Sequence, residues 1–334
     1  MKAAYYERLG PAEDVLELGD MPDPQPGPGE IRVRIEVSGL NPSDIKGRNG
    51  FKGAMAYQRV VPHQDGAGVI DAVGEGVGAS RIGERVWVYE AQSGRAFGTA
   101  AEYVVVPQDK AVGLADHVSF ETGASLGIPA LTAHYCLFAD GDLNQRRVLV
   151  QGGAGVVGEA AIQLAKWSGA WVAATVRTAA DVARVQAAGA DLVIDMQQQD
   201  VESVLMEATA GAGVDRIVEV DLISNLELDL ACLAKGGTIS TYSVEAANAK
   251  APVPVLKAMA NCAAFRFVLV YTVPEAAKRK AIRDVTACLA EGRYKVTIGK
   301  VFPFEAIAEA HDTLDEHRVK GKVLLRVHSG QMMS

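Results

Sequence analysis

The spacing of apolar and polar residues changes rhythm twice along the chain. In the first stretch the dominant period is two. Ile31, Val33, Ile35 and Val37 alternate with Arg32, Arg34 and Glu36, the pattern of a strand with one face in a core. Gly66–Val73, Arg85–Tyr89 and Ala101–Pro107 read as further strands, separated by turn-rich links such as Gly74-Glu75-Gly76-Val77-Gly78. The prolines of Met21–Gly29 hold that segment extended.

Beyond residue 127 short apolar runs alternate with helical stretches, which signals βαβ units and a parallel sheet. Strands are expected at Val148–Gln151, Val172–Val176, Leu192–Ile194, Arg216–Val220, Thr238–Thr241 and Phe267–Tyr271. Helices are expected near Gly158–Ser168, Ala179–Ala188, Val201–Thr209 and Leu226–Leu233. The tail changes again, to a helix Pro274–Glu291, a strand Lys300–Phe302, a helix Glu305–Glu316 and a strand Val323–Val327. The fold class implied is α/β. A mostly-β domain spans 1–126, a doubly wound Rossmann domain spans 127–272, and 273–334 returns to the first domain.

The 334 residues are 49% hydrophobic, enough for a sizeable core. The net charge of -8 argues against broad binding to nucleic acid or anionic membranes. No apolar run is long enough for a transmembrane helix and the N-terminus lacks a signal core, so a cytoplasmic protein is expected. Cys136, Cys232, Cys262 and Cys288 are too far apart for a zinc knuckle or a C-x-x-C pair and read as reduced thiols.

The strongest chemical signal is Val148-Leu149-Val150-Gln151-Gly152-Gly153-Ala154-Gly155-Val156-Val157-Gly158. An apolar strand runs into glycines that open a helix, and Gly153, Gly155 and Gly158 fit G-x-G-x-x-G. Glycine lets the backbone turn sharply and approach a pyrophosphate, which the helix N-terminus favours. An NAD site places an acid about 20 residues further on to hold the ribose diol. Here Thr175, Arg177 and Thr178 occupy that region, and the first carboxylate is Asp181, already in a helix. A guanidinium flanked by hydroxyls suits a 2'-phosphate, so NADPH is the expected cofactor.

These features together resemble the medium-chain dehydrogenase/reductase superfamily, and within it the zinc-free, zeta-crystallin-like quinone oxidoreductases. The resemblance spans nearly the whole chain. It rests on the glycine turn, Asn41-Pro42-Ser43-Asp44, Pro62–Ile70, Gly74-Glu75-Gly76-Val77, Gly83-Glu84-Arg85-Val86, Ala130-Leu131-Thr132-Ala133 and Gly321-Lys322-Val323. It implies a GroES-like fold for the mostly-β domain. Zinc-dependent relatives carry a cysteine where this chain has Asn41 and a Gly-His-Glu where it has Pro62-His63-Gln64. With no cysteine before Cys136 and His63 the sole remaining donor, a metal site is not expected.

Without a Lewis acid, a quinone or conjugated carbonyl is the easier hydride acceptor, because conjugation carries the incoming charge to an oxygen that donors can stabilise. The resemblance places Asn41, Asp44 and Lys46 near the nicotinamide. Asn41 then offers its amide to the substrate oxygen, and Asp44 orients neighbours. Thr132 faces the nicotinamide, and Tyr57 is the candidate phenol of the substrate pocket. Val156 and Val157 line the cofactor turn. Ser240, Tyr242 and Ser243, beyond Gly236-Gly237, are expected to contact the cofactor, as are Phe267 and Leu269. Lys322 reaches cofactor phosphates or is solvated, and both readings stay open. The apolar stretch Phe265–Tyr271 reads as an edge strand open to pairing, and the resemblance implies that the sheets of two subunits join there in a homodimer. The leading expectation is NADPH-dependent reduction of a quinone. The alternatives are double-bond reduction of a 2-alkenal or enone, and a low-turnover, crystallin-like NADPH-binding protein.

Overall fold

The structure, a computed structural model, describes residues 1–51 and 53–328. Residues 329–334, the end of the tail segment expected to rejoin the first domain, lie outside the described residues. The chain divides into two compact units, one formed by Met1–Ile128 and the chain from Val296 on, the other by Pro129–Lys295.

In the first unit a small antiparallel pair, β1 (Lys2–Tyr5) and β2 (Glu17–Asp20), stands beside a seven-stranded sheet. The sheet is centred on β3 (Glu30–Gly39), which pairs with both β4 (Asp65–Val73) and β6 (Tyr103–Pro107). β5 (Arg85–Val88) continues from β4, and β7 (Ala111–Gly113) from β5. The period of two along β3 is real: Ile31, Val33, Ile35 and Val37 are buried, while Arg32, Arg34 and Glu36 are half-exposed.

The second unit holds six parallel strands: β8 (Arg147–Val150), β9 (Trp171–Val176), β10 (Leu192–Asp195), β11 (Val214–Glu219), β12 (Leu233–Thr241) and β13 (Ala264–Phe267). Their order is β10-β9-β8-β11-β12-β13. Chain order reverses between β8 and β11, and ligands of doubly wound sheets bind at the carboxyl ends of strands flanking such a reversal. The apolar strands face a core that includes Leu149, Ala173, Ile194, Ile217 and Ile239.

The tail returns to the first unit as β14 (Ile298–Pro303) and β15 (Lys322–Arg326), with β15 pairing antiparallel to β3. The return starts later than the expected residue 273. The helix Glu275–Ala290 stays with the second unit, where it packs on the helix Val156–Trp167. Gln163 fixes this arrangement by donating to the Lys295 carbonyl at 2.9 Å and accepting from the Lys295 amide at 2.6 Å. The strand expected at Phe267–Tyr271 is also displaced. β13 ends at Phe267, and Val270–Thr272 forms a 3-10 turn that buries Val270. Among the described residues, no helix is long and apolar enough to cross a membrane.

Candidate functional site

In the second unit the chain leaves β8 at Val150 and turns through Gln151–Gly155 into the helix Val156–Trp167. Gly152 has φ +68, which a side chain rarely tolerates. A Cβ at Gly158 would lie 2.3 Å from the Gly152 carbonyl oxygen, and one at Gly153 would lie 2.9 Å from the Ala174 Cβ. Gly155 is the helix N-cap and supplies no side-chain cap. The first-turn amides, at Val156, Val157 and Gly158, are therefore left to an external acceptor.

Arg177 follows the carboxyl end of β9, exposed, and among the described residues it has no ion-pair partner. Thr178 beside it is exposed and donates to Asp181 Oδ2 at 2.9 Å. Thr175 does not project outward as expected. It is fully buried, its hydroxyl proton goes to Gln151 Oε1 at 2.7 Å, and its oxygen accepts the Gly152 amide at 3.0 Å. It therefore braces the turn from beneath. Ser240 is likewise turned inward, buried and accepting from Arg216 Nη1 at 3.2 Å. Tyr242 and Ser243 lie half-buried just past the carboxyl end of β12, and Phe267 and Leu269 are exposed. Thr132 is buried in the helix Gly127–Phe138.

In the first unit Asn41 caps the helix Pro42–Arg48, with Pro42 at its first turn and the Asn41 amide donating to Asp44 Oδ2 at 2.7 Å. The Asn41 side chain is not free to offer its amide at will. Its Nδ2 donates to Asp65 Oδ2 at 2.8 Å and its Oδ1 accepts from Lys322 Nζ at 2.7 Å. Lys322 is not solvated. It is 2% exposed and also reaches Asp65 Oδ2 at 3.1 Å. The other Asp65 oxygen accepts the Ile128 amide at 2.9 Å. Burial pushes the Asp65 carboxyl above its ordinary value while the Lys322 ammonium pulls it back. Three donors, one a cation, hold it as a carboxylate.

Asp44 is different. It is fully enclosed, and burial is the main cause raising it to about 8, opposed by the Asn41 amide. It carries a proton at neutral pH. Lys46 on the same helix lies over the Phe51 ring at 5.3 Å. Tyr57 stands apart from this cluster. It is half-buried against Tyr6, Val15 and Val60 and donates to the Gly94 carbonyl at 2.6 Å.

His63 is fully buried with φ +80, an uncommon conformation for a residue with a side chain. Both ring nitrogens are engaged: Nδ1 lies 2.8 Å from Ser38 Oγ and Nε2 lies 3.0 Å from His311 Nε2. Proton counting gives one direction to the whole chain of bonds. Thr99 donates to the Asp65 carbonyl at 2.5 Å, so Ser38 must donate to Thr99 at 2.7 Å. His63 Nδ1–H then donates to Ser38, and His311 Nε2–H donates to His63. Burial lowers His63 to about 3 and His311 well below its ordinary value, so both rings are neutral. A zinc ion does not fit here, since His63 has no lone pair to spare and the position of Asn41 carries an amide. Among the described residues no group of three or more His, Cys, Asp or Glu side chains is set to hold a metal ion.

The structure puts the glycine turn after β8 and Arg177 just past β9, the strand ends at which sequence reasoning placed them. Sequence reasoning missed Asp65, Gln151 and His311, single residues whose partners are distant in sequence. A buried acid beside Asn41 was signalled only by Asp65 standing at the start of the strand Asp65–Val73.

Two family models match the chain. An alcohol dehydrogenase GroES-like domain covers residues 27–116, and a model described as zinc-binding dehydrogenase covers residues 188–325. The synaptic vesicle membrane protein VAT-1 homolog of Mus musculus is 30% identical over 333 residues, spanning 93% of this chain and 80% of that protein. The quinone oxidoreductase of Sus scrofa is 27% identical over 329 residues, 97% of each chain. Among solved structures, an NAD-dependent alcohol dehydrogenase superposes with a TM-score of 0.87 at 29% identity, covering 98% of this chain and 100% of that one. The Escherichia coli quinone oxidoreductase complexed with NADPH gives a TM-score of 0.85 at 25% identity, covering 98% and 100%. The fold, the glycine turn, the Asn41 cap and these relatives agree: the chain belongs to the medium-chain dehydrogenase/reductase superfamily, in its quinone oxidoreductase group.

Proposed function

We propose that the protein is an NADPH-dependent oxidoreductase that reduces a quinone or a conjugated carbonyl compound without a metal ion. The observation that carries the reading is the pairing of an open glycine turn with an exposed Arg177, rather than an acid, two residues past Thr175 at the neighbouring strand end. The glycine turn and the first-turn amides of Val156–Gly158 hold the pyrophosphate, and Arg177 grips the 2'-phosphate. When bound, NADPH supplies the hydride. The relatives that are quinone oxidoreductases, one of them complexed with NADPH, support both cofactor and acceptor class.

Asn41 is held in one orientation by Asp65 and Lys322, so its remaining amide hydrogen is a preorganised donor for an oxygen that gains charge. The reduction also consumes a proton, and Asp44 holds one on its carboxyl at neutral pH. A buried, preoriented donor set suits an acceptor whose charge is already delocalised.

The test is an acceptor panel of quinones, enones and 2-alkenals with NADPH or NADH. Oxidation of NADPH by a quinone, with NADH much poorer and no loss on chelator treatment, is the expected result. Comparable rates with NADH would overturn the cofactor reading, and turnover of alkenals alone would overturn the acceptor. A second measurement isolates the phosphate contact. Arg177→Ala should weaken NADPH about tenfold or more, the scale of a lost charged hydrogen bond, and leave NADH within about twofold. Equal losses for both cofactors would show that Arg177 does not read the phosphate.

A further inference from the structure

Glu219 and Asp229 are used by none of the chemistry above, yet both are completely buried in the second unit. Glu219 ends β11, the strand beside β8 at the reversal of strand order. Asp229 lies on the helix Leu222–Cys232 that follows. The two carboxyls interact directly. Glu219 Oε1 accepts from the Asp221 amide and from Asn225 Nδ2 at 3.1 Å. Asp229 Oδ1 accepts from Gln151 Nε2 at 2.9 Å. The remaining oxygens, Glu219 Oε2 and Asp229 Oδ2, are buried and have no donor among the described residues.

One proton satisfies both oxygens, and two adjacent buried carboxylates cannot both carry charge. Glu219, with two donors, is the anion. Asp229, with one, keeps the proton. Burial first, and the Glu219 charge second, push Asp229 well above its ordinary value.

From Asp229 the hydrogen bonds lead straight to the phosphate turn. Gln151 Nε2 donates to Asp229, so its Oε1 must accept, and it accepts the Thr175 hydroxyl at 2.7 Å. Thr175 Oγ1 in turn accepts the Gly152 amide at 3.0 Å. The Gln151 amide cannot flip without breaking both of its bonds.

We propose that the Glu219–Asp229 pair, holding one shared proton, positions the phosphate-binding turn through Gln151 and Thr175, so that dinucleotide affinity depends on that proton. The proposal rests on the dinucleotide reading of the turn. Losing the proton puts a second negative charge beneath a site that receives a pyrophosphate, and no cation among the described residues acts on Asp229 to compensate. The other titratable groups facing the pair are Asp221, Tyr242 at the end of β12, and Cys232 on the helix. From the adjoining elements Asp200, Glu202 and Lys257 act on Cys232. Arg216, three residues before Glu219 and so on the other face of β11, is paired with Asp140. Among the described residues no cation acts on Asp229.

Asp229→Asn is the decisive variant. Its amide nitrogen donates to Glu219 where the proton did, and its oxygen accepts from Gln151, so it copies the protonated pair at every pH. NADPH dissociation constants are measured by fluorescence for wild type and variant across neutral to alkaline pH. Wild type should lose affinity tenfold or more toward the alkaline end, while Asp229→Asn matches wild type within about twofold at neutral pH and stays flat. Superimposable profiles, or a wild type that binds with no alkaline loss, would overturn the proposal. A wild type that binds neither NADPH nor NADH would sink the dinucleotide reading and the proposal together. Urea unfolding of the cofactor-free proteins gives a readout independent of binding. An acid raised on folding gives up its proton earlier in the unfolded chain, so wild-type stability falls as pH rises. The gap in favour of Asp229→Asn should therefore widen with pH, and a constant gap would show that no proton is shared.

Discussion

Replacing Lys322 with Met is expected to remove about 3–5 kcal/mol of folding stability, the usual consequence of leaving one member of a buried ion pair without its partner. Asp65 is fully buried and Lys322 is 2% exposed, so neither charge can turn to water when the other is lost. Asn41 Oδ1 loses its donor in the same step. The methionine chain fills most of the lysine's volume, which isolates the charge from the packing. Asp65→Asn combined with Lys322→Met should recover at least half of the loss, because the double change removes the stranded carboxylate. Urea midpoints of the two proteins measure this directly. A single variant as stable as wild type would mean that the carboxylate is not ionised in the folded protein.

The second large effect is on the glycine turn. Gly158→Ala is expected to weaken NADPH about a hundredfold, near 2.7 kcal/mol. The added methyl would meet the Gly152 carbonyl at 2.3 Å and the Gly153 Cα at 3.0 Å. Both are backbone atoms, so the helix Val156–Trp167 must move away or the turn must open. Overpacking of this kind also costs about 1–3 kcal/mol of stability. Gly155→Ala provides the contrast: the nearest atom to its Cβ would be 3.4 Å away, and its φ of -77 is ordinary. It should fold as well as wild type, and any loss of binding there reports on the ligand's approach alone. If Gly158→Ala bound NADPH as well as wild type, the turn would not be the phosphate cradle.

These two sites differ in how openly the chain displays them. The glycine turn is local: the strand, turn and helix follow one another without interruption from Arg147 to Trp167, and each leaves its own mark on the spacing of residue types. The β3 strand was legible for the same reason, since one buried face writes a period of two. The ion pair is not local. Asp65 and Lys322 are 257 residues apart, and a lone lysine looks the same in a sequence whether it ends in water or on a buried carboxylate. Thr175 was misread for a related reason. Its position at a strand end was clear, but the side of the strand its hydroxyl takes depends on Gln151, which carries no distinguishing pattern. The late return of the tail was hidden too. The helix Glu275–Ala290 is amphipathic in any reading, and what assigns it to the second unit is contacts between residues far apart in sequence, such as the Gln163–Lys295 clasp and the bond between His134 and Asp284.

The bonded series from His311 through His63, Ser38 and Thr99 to the Asp65 carbonyl bears on how this lineage can change. Every link donates in the same sense, so replacing a member by a side chain that lacks a donor or an acceptor leaves a neighbour unpaired. Among the described residues His311 Nδ1, buried at the head of the series, has no hydrogen-bond partner. Recruiting His63 Nε2 to a metal would demand the lone pair that now receives the His311 proton, so His311 would have to give up that bond. Adding cysteines would not by itself restore a zinc site. The His311 side chain would have to be moved or replaced as well.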